Sequence, residues 1–399
     1  MKKVTIIVTS LFACVIIILI VLFFTGKTFI LRNANLNDNE KQIIKNNFSK
    51  SEIQYLLKNN CDLFITTIVN DKDFKKENMK SYCEYHQKYE NAKKDTVYLV
   101  NHNLTSIVYS DTLKQIIHSE NILNDHINRY LDFIQNNENI SVDEAIKLVN
   151  LDYDKVVNQN DITKEFFLTN HFISNYLSRY LQYKQNHNDL DTNTIVSLVN
   201  SNRDYAFYTN VNLADKSKKE TMLVNKYYSL SKDYVPELVT LNESYTTLSS
   251  RATKEVSNAF STMVEDAKKQ NLTIYCQNGY RSYDSQNYIF NDMRRSKGDE
   301  YTNLHEARAG FSEYQTGLSL ELIHGKNQNQ NEFKDSKEFA WLKENAYKYG
   351  FILRYPEGKE NITGFAYKPY YFRYVGKNPA KTIWRENITL EEYYAYYEK

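Results

Sequence analysis

The sequence carries no excess of charge of either sign. Its 399 residues include 50 basic and 49 acidic side chains, for a formal net charge of +1. Proteins that bind nucleic acid present a basic field to the phosphate backbone, so nucleic acid is not expected as a partner. Glycine and proline are scarce, at 10 and 4 residues, whereas hydrophobic residues reach 42%. That apolar content is ample for packed cores and excludes a disordered chain.

Cysteine is also rare. Four cysteines in a chain of this length do not form the disulfide framework of a small secreted domain. Cys14 lies in a long apolar run, where "LFAC" loosely resembles a lipoprotein box, and Cys276 lies in a strand-like segment. Cys61 and Cys83 remain as one possible bridge, which the sequence does not decide. The chain has no CxxC pattern or Cys/His cluster, which argues against a zinc site built on cysteine.

One long uncharged run, over residues 4–24, follows Lys2 and Lys3. It has about the length that crosses a bilayer as a helix, and no small-residue cleavage site follows it. We therefore predict an uncleaved transmembrane helix that anchors the protein in the membrane. The two lysines favour a cytoplasmic N-terminus, although Lys27 and Arg32 on the other flank weaken this bias. The expected location is the plasma membrane, as a single-pass protein whose C-terminal bulk lies outside the cytoplasm.

An internal duplication marks the middle of the chain. Residues 129–150 match residues 179–200 at an offset of 50, and looser copies precede them within 53–101. Each unit is predicted to hold two amphipathic helices that are separated by a polar turn, with a short apolar "LVN" exit. We expect the units to bury their apolar faces on one another in a helical array. The array is either a spacer or partner-binding surface, or an ordinary helical domain grown by duplication.

The pattern changes near residue 220, where an extended segment carries the first proline, Pro236. An amphipathic helix over 250–270 follows, and after it helices and short strands occur without regular βαβ alternation. This pattern predicts the α+β class, with a small antiparallel sheet flanked by helices. The predicted domains are a cytoplasmic N-terminus and anchor over 1–30, a mainly helical repeat region over 31–218 and a C-terminal domain over 219–399.

Five segments of the C-terminal region occur in a specific order. They are "LVNKYYSLSKDYVPELV" (223–239), "NGYRSYDSQ" (278–286), "SEYQTGLSLEL" (312–322), "WLKENAYKYGFILRYPEGKENITGFAYKP" (341–369) and "YFRYVG" (371–376). Together they resemble the VanY-type zinc D-alanyl-D-alanine carboxypeptidases. The resemblance implies a hedgehog/D,D-peptidase-like fold and a metallopeptidase that trims D-alanine from peptidoglycan stem peptides.

The resemblance also implies a zinc site, and the sequence departs from it at every metal-binding position. The family pattern is Ser-x-His-x-x-Gly-x-x-x-Asp with a later Glu-Pro-Trp-His, in which both His and the Asp bind zinc and the Glu is the general base. Tyr314 stands for the first His, Glu321 for the Asp and Tyr371 for the last His. Lys368 replaces the general base. Phenols titrate near about pH 10 and a charged ammonium is no base, so we predict that zinc and peptidase activity are lost.

Other positions keep the family pattern. The residues that we carry over as candidate ligand contacts are Arg281, Gln286, Ser312 and Gln315. Arg281 belongs to the "GYRS" element, which the resemblance associates with the substrate carbonyl or oxyanion. It either holds a carboxylate or carbonyl of a ligand, or it pairs with Glu313 or Glu321 and only stabilises its loop.

Two arrangements are open for the altered positions. In one, the Lys368 ammonium pairs with Glu321 near the former metal position. Tyr314 and Tyr371 then fill the imidazole volumes and hydrogen-bond each other or Ser312. In the other, Lys368 points into solvent.

Two histidines remain in the C-terminal domain, and neither is expected to rebuild the zinc site. His305 lies in a predicted loop nine residues before Tyr314. His324 lies three residues after Glu321 on a predicted strand, so alternation sends the two side chains to opposite faces.

These observations predict a membrane-anchored extracytoplasmic pseudoenzyme without a cofactor. Its expected partners are peptidoglycan stem peptides or another protein of the cell envelope, with the N-terminal helix in the membrane. One alternative is an active metallocarboxypeptidase that keeps zinc through Glu321 and unconventional ligands. Another places the function in the repeat region, with the C-terminal domain as a folded cap.

Overall fold

A computed structural model describes residues 15–16, 26–325 and 330–398. The predicted anchor over 4–24 lies outside the described residues, apart from Val15 and Ile16. Within the described part of the chain, no helix combines the length and the apolar character that a membrane crossing requires. The chain separates into two compact units between Val157 and Asn158.

The first unit consists, in its described residues, of short helices joined by polar turns. Side chains that accept a hydrogen bond from the first turn fix several helix starts, because the first main-chain N–H groups of a helix have no partner within it. Ser49 and Ser141 act in this way on the N–H groups of Glu52 and Glu144. The helices are Lys27–Ile30, Asp38–Asn47, Lys50–Lys58, Asp62–Ile68, Met79–Lys88, Asp95–Asn101, Asp111–His118, Ile127–Asn136 and Val142–Asn150.

The predicted repeat corresponds to helix pairs that share one hydrogen-bonded feature, which we call the Tyr–Asn clamp. A tyrosine of the first helix donates its hydroxyl to the side chain of the asparagine that ends "LVN" in the second helix. The same hydroxyl accepts an N–H from the turn seven residues earlier, and the asparagine donates to a carbonyl of that turn. The three pairs are Tyr82 with Asn101 (2.7 Å), Tyr130 with Asn150 (2.5 Å) and Tyr180 with Asn200 (2.6 Å). The asparagine of "LVN" is therefore a structural residue.

The question of the disulfide is resolved in the first unit. Cys61 and Cys83 form a disulfide bond, with their Cα atoms 5.7 Å apart. It joins the start of helix Asp62–Ile68 to helix Met79–Lys88. Cys276 is a free, buried cysteine in the C-terminal sheet.

The second unit begins with the last repeat, well before residue 219. Its repeat helices are Asp161–Leu168, Leu177–Asn186 and Thr192–Asn200. The Ser197 hydroxyl donates to the Glu392 carboxylate at 2.7 Å, and the His171 ring stacks on Tyr396 with ring centroids 3.7 Å apart. These contacts fasten the last repeat to the C-terminal residues within one compact unit, and the predicted domain boundary at 219 stays a prediction.

The rest of the second unit combines helices with small sheets, which confirms the mixed helix-and-sheet prediction. Its helices are Lys254–Lys268, Tyr283–Lys297, Asp299–His305, Gln330–Phe333, Lys337–Asn345, Glu360–Thr363, Lys377–Glu386 and Leu390–Tyr393. Its strands are β1 (Asn212–Leu213), β2 (Tyr228–Ser229), β3 (Val239–Thr240), β4 (Arg251–Ala252), β5 (Ile274–Asn278), β6 (Ser319–His324), β7 (Phe351–Leu353) and β8 (Tyr371–Tyr374).

The central sheet has four strands in the order β5-β6-β8-β7, and all neighbouring pairs are antiparallel. Helix Lys254–Lys268 lays the predicted apolar face on it, with Val256, Phe260 and Met263 all buried. Each large apolar side chain so buried stabilises the fold by roughly 1.5–3 kcal/mol. In the middle of the sheet, β6 and β8 pair Glu321 with Tyr371. Two of the altered positions are therefore cross-strand neighbours.

We expect Tyr180→Phe to lower the free energy of unfolding of the second unit by about 1–3 kcal/mol. The change leaves the buried Asn200 and the Ile173 N–H without the hydroxyl that both use. Urea denaturation of the full chain, followed by circular dichroism, measures the effect. Tyr183→Phe is the matched control, because its hydroxyl has no hydrogen-bond partner among the described residues, and its effect should stay within about 0.5 kcal/mol. Equal losses in both variants would contradict the clamp.

Candidate functional site

The motif "SEYQTG" forms a tight turn that leads into the central strand of the sheet. Ser312 precedes a 3-10 helix over Glu313–Thr316, and Gly317 ends it at φ 69°. A side chain at Gly317 would be strained at this φ, and its Cβ would lie 2.9 Å from Leu238. Glycine is therefore required here, and the turn fixes where Tyr314 and Glu321 point.

The four altered positions converge in one place beside Arg281. The Tyr314 and Tyr371 rings lie 4.8 Å apart between centroids, and the Arg281 guanidinium lies 4.1 Å above the Tyr314 ring. Lys368 Nζ lies 5.6 Å from the centroid of the Tyr371 ring. Tyr314, Glu321, Lys368 and Tyr371 are all buried, and the two tyrosines belong to a small apolar cluster. The correspondence predicted from the motif is thus spatially coherent.

Glu321 is held by neutral donors. The Tyr314 hydroxyl donates to one carboxylate oxygen and the Asn278 side-chain amide to the other. The prediction that Tyr314 bonds to Tyr371 or Ser312 is therefore wrong, because Glu321 offers the stronger, charged acceptor. Asn278 was not predicted, although it lies in the "NGYRSYDSQ" segment and faces Glu321 across β5 and β6.

Lys368 points into the protein, but its ammonium does not pair with Glu321. Its Nζ donates to the His305 carbonyl at 2.7 Å, at the end of helix Asp299–His305, and the described residues supply no ion pair for it. A cation at a helix C-terminus is favourable, which explains this choice of partner. Burial lowers the pKa of Lys368, while Glu306 and Glu321 act in the opposite direction. Both predicted arrangements of Lys368 are therefore wrong: its ammonium does not pair with Glu321, and it does not point into solvent.

Arg281 pairs with Glu306 instead of Glu313 or Glu321. Its Nη1 lies 3.4 Å from the Glu306 carboxylate and donates to Gln286 at 2.9 Å. The Arg281 side chain is 16% exposed. Part of this side chain is therefore accessible, and it lines a pocket that is described below.

The other predicted ligand contacts are buried. Gln286 donates to Glu306 and to the Ala307 carbonyl, each at 2.7 Å. Gln315 donates to the Ser231 and Tyr234 carbonyls and so fastens the extended segment after β2. Ser312 is 2% exposed. The amide groups of Gln286 and Gln315 already donate to protein partners. A ligand role for Gln286, Ser312 or Gln315 stays a prediction.

A buried network of ion pairs holds the motif turn through Glu313. Glu313 accepts from Arg354 at 2.9 Å and from Arg373, and Arg354 in turn binds Glu391 at 2.7 Å and 2.9 Å. Burial alone would raise the pKa of Glu313, but the two guanidinium groups outweigh it and hold that pKa below its ordinary value. The available sequence signal was an arginine in each of two otherwise apolar segments, "FILRYP" and "YYFRYV".

The residues at this site do not fit zinc. Burial raises the pKa of the Tyr314 and Tyr371 hydroxyls well above the ordinary value, so both stay protonated. His305 stacks on Tyr301, and His324 lies beside Phe333 at the far end of β6. Within the described ranges, no group of three or more His, Cys, Asp or Glu side chains could hold a metal ion. Among Tyr314, Glu321, Lys368 and Tyr371, only Glu321 carries a carboxylate.

A polar pocket of about 320 Å³ borders the cluster. Its lining residues include Arg281, Asn278, Gly279 and Arg251. Gly279 lies against the Arg251 main chain, because a Cβ on residue 279 would be 2.5 Å from the Arg251 carbonyl oxygen. Two arginines and an amide can bind a carboxylate or a carbonyl. The pocket is therefore a candidate place for a ligand next to the cluster.

Comparison with known proteins relates this region to one family. Residues 249–377 match VanY, described as D-alanyl-D-alanine carboxypeptidase. YodJ of Bacillus subtilis (strain 168) is 38% identical over 179 residues, which are 43% of this chain and 66% of YodJ. The chain spans between 44% and 67% of the lengths of four curated relatives that it matches.

Two solved structures are also similar. The LdcB LD-carboxypeptidase, whose structure concerns peptidoglycan recognition, shares 36% identity over 47% of this chain and 91% of its own, with a TM-score of 0.43. A vancomycin-resistance D,D-pentapeptidase VanY in complex with Zn(II) shares 29% identity over 44% of this chain and 98% of its own, with a TM-score of 0.38.

Replacing Arg373 by Met should lower the free energy of unfolding by about 3–5 kcal/mol, because it leaves the buried Glu313 charge with one cation fewer. Adding Glu313→Gln to this variant should recover part of the loss. Arg385→Met, which breaks an exposed pair with Glu386, is the matched control and should cost less than about 1 kcal/mol. Equal costs for the Arg373 and Arg385 variants would contradict the network.

The same network predicts the direction of a pH effect. Because the folded pKa of Glu313 is depressed, its contribution to stability is present above the unfolded value near about pH 4.3. It is lost as the pH falls through the folded pKa. Chemical denaturation between pH 3 and pH 6 should therefore show a smaller acid loss in Glu313→Gln than in the native sequence.

Proposed function

This chain belongs to the VanY family of D-alanyl-D-alanine carboxypeptidases through residues 249–377, and we propose that it is a member that binds peptidoglycan without hydrolysing it. In this proposal, the C-terminal domain is a pseudoenzyme without zinc. Its ligands are stem peptides of peptidoglycan, and a protein of the cell envelope is the other possible partner.

The observation that carries the proposal is the state of Glu321. At the position where the family has a zinc ligand, its carboxylate accepts hydrogen bonds from Tyr314 and Asn278. A zinc ion would need Glu321 together with two further deprotonated ligands, and the two adjacent phenols keep their protons. Lys368, the residue in place of the general base, donates a hydrogen bond from its ammonium to a main-chain carbonyl. No hydrolytic step can be assigned to these side chains.

Ligand binding is proposed for the polar pocket at Arg281. A stem peptide offers main-chain carbonyls and a terminal carboxylate, which are the acceptors that a guanidinium binds well. Arg281 is already oriented by Glu306 and Gln286, so little side-chain entropy is lost when it contacts a ligand. The pocket volume of about 320 Å³ suits the end of a peptide rather than a whole stem.

The proposed location is the outer face of the plasma membrane, with residues 4–24 as the anchor. The Cys61–Cys83 disulfide supports an oxidising compartment for the first unit, because such bonds rarely persist in a reducing cytoplasm. The repeats then belong to the extracytoplasmic part, where their role is a spacer or a surface for partners.

One observation favours an active carboxypeptidase as the second candidate function. Glu321 and Arg281 keep chemistry that the family pattern uses, a carboxylate and an aimed cation, within one buried cluster. Activity would require a metal on Glu321 and ligands that the family does not use.

Metal analysis and binding separate the two candidates. We expect the purified extracytoplasmic part, residues 26–399, to contain far less than one zinc per chain after dialysis against zinc-free buffer, and to release no D-alanine from an N-acylated peptide ending in D-Ala-D-Ala. Calorimetry with the same peptide should show binding, and Arg281→Gln should weaken it at least tenfold. Arg385→Gln is the matched surface control. Stoichiometric zinc together with D-alanine release would refute the pseudoenzyme.

Restoration of the family residues gives an independent test. The triple variant Tyr314→His, Lys368→Glu and Tyr371→His should bind about one zinc ion, because Glu321 then completes three protein ligands. Zinc content by mass spectrometry measures the gain. The same variant with Glu321→Gln is the control and should lose most of it. If both variants stay free of zinc, these positions do not correspond to the metal site.

A further inference from the structure

Helix Asp299–His305 ends with all four of its last carbonyl groups hydrogen-bonded. The last four carbonyls of a helix have no partner within it, so other groups must supply these hydrogen bonds. Two of the donors are main-chain N–H groups. Glu306 N–H donates to the Thr302 carbonyl at 2.7 Å, and Ala366 N–H donates to the Leu304 carbonyl at 3.0 Å. The other two donors are buried lysine side chains.

These lysines are Lys226 and Lys368, which are 1% and 8% exposed. Lys226 Nζ donates to the Asn303 carbonyl at 2.7 Å and to the Gly364 carbonyl at 2.6 Å. Lys368 Nζ donates to the His305 carbonyl at 2.7 Å. Among the described residues, no carboxylate forms an ion pair with either ammonium. The partial negative charge at the end of the helix therefore serves both cations as their counter-charge.

Two like charges at one buried place cost free energy. Burial lowers the pKa of both lysines, whereas the carbonyl acceptors and nearby aromatic rings favour the charged form. Lys226 Nζ lies 4.4 Å and Lys368 Nζ 5.6 Å from the centroid of the Phe365 ring, and Lys226 Nζ lies 3.9 Å from that of Phe207. Apolar side chains would fill the same volume at lower cost. The contribution of the two lysines is therefore their hydrogen bonds to the helix end.

The residues that follow the helix hold Arg281. The Glu306 carboxylate accepts from Gln286 at 2.7 Å and lies 3.4 Å from Arg281 Nη1. The Ala307 carbonyl accepts from Gln286 at 2.7 Å, and Gln286 in turn accepts from Arg281 at 2.9 Å. Both routes to Arg281 start directly after the helix end. The position of that end therefore sets the position of the Arg281 side chain.

We propose that Lys226 and Lys368 are positioning residues for Arg281, an inference that rests on the proposed function of the pocket at Arg281. The two lysines fix the carbonyls of residues 303 and 305, and the helix end fixes residues 306 and 307. These residues orient the Arg281 side chain, which lines the pocket. A side chain that is oriented before binding loses less entropy on contact with a ligand. Lys368 thus acts on a ligand through Arg281 and does not contact it.

Experiments without a ligand test the helix end in the chain of residues 26–399. Lys368→Met and Lys226→Met should each speed hydrogen–deuterium exchange of the Glu306 amide at least tenfold, because its acceptor lies in the turn that the lysines hold. The nitrogen-15 NMR signal of Arg281 Nε–H, identified by its loss in Arg281→Gln, should shift in both variants. Lys348→Met removes an exposed lysine of the same unit and should change neither measurement. Unchanged exchange and an unchanged Arg281 signal in the two variants would overturn the proposal.

Calorimetry with the N-acylated peptide ending in D-Ala-D-Ala separates positioning from direct contact. Lys368→Met should weaken binding at least fivefold in the native sequence, but less than twofold when Arg281→Gln is present, because nothing is then left to position. Lys368→Arg keeps a cationic donor for the His305 carbonyl and should recover most of the binding. Circular dichroism verifies that each variant folds.

The outcomes of the binding experiment are distinct. Equal losses from Lys368→Met with and without Arg281→Gln would mean that Lys368 contacts the ligand directly, which would overturn the positioning role. Absence of peptide binding by the native sequence would refute the proposed function instead. The exchange and NMR measurements need no ligand, so they decide in that case whether the two lysines position Arg281.

Discussion

The buried pairing of Glu313 with Arg354 and Arg373 is the interaction on which the arrangement of the C-terminal domain depends. Glu313 belongs to the motif turn, whereas the arginines flank or lie in the two strands β7 and β8. Burying three charges away from water costs free energy unless each charge is paired with an opposite one. The turn and the two strands must therefore meet in one register. Arg354 extends the network to Glu391 near the C-terminus. The placement of Tyr314 next to Tyr371 follows from this buried network.

The network involves Glu313 and not Glu321, so the cluster around Glu321 is held by other contacts. In a zinc enzyme the ion draws its ligands together and compensates their charge. Here aromatic packing and hydrogen bonds do this work, with Tyr314 on Glu321 and Lys368 at a helix end. Under the proposed function, this chain keeps the fold and differs in the chemistry of its site, since function resides in sites rather than in folds.

The sequence predicted best what depends on neighbours along the chain. The repeat helices follow from apolar periodicity and capping residues, and the altered motif positions follow from spacing alone. The attachment of the last repeat to the C-terminal residues was not predicted, because it depends on contacts between residues almost 200 positions apart, such as Ser197 with Glu392. The partner of Lys368 was missed for a related reason. It is a main-chain carbonyl, and every residue has one, so no sequence pattern singles out His305.

The Tyr–Asn clamp closes within each repeat, since every member lies within about thirty residues of the others. A clamp of this kind does not need a neighbour to be complete. Whole fifty-residue blocks could thus be gained or lost by recombination without exposing a broken network in those that remain. The length of the helical region before the last repeat is then a quantity that evolution can adjust in fixed steps, since only the last repeat is fastened to the C-terminal residues.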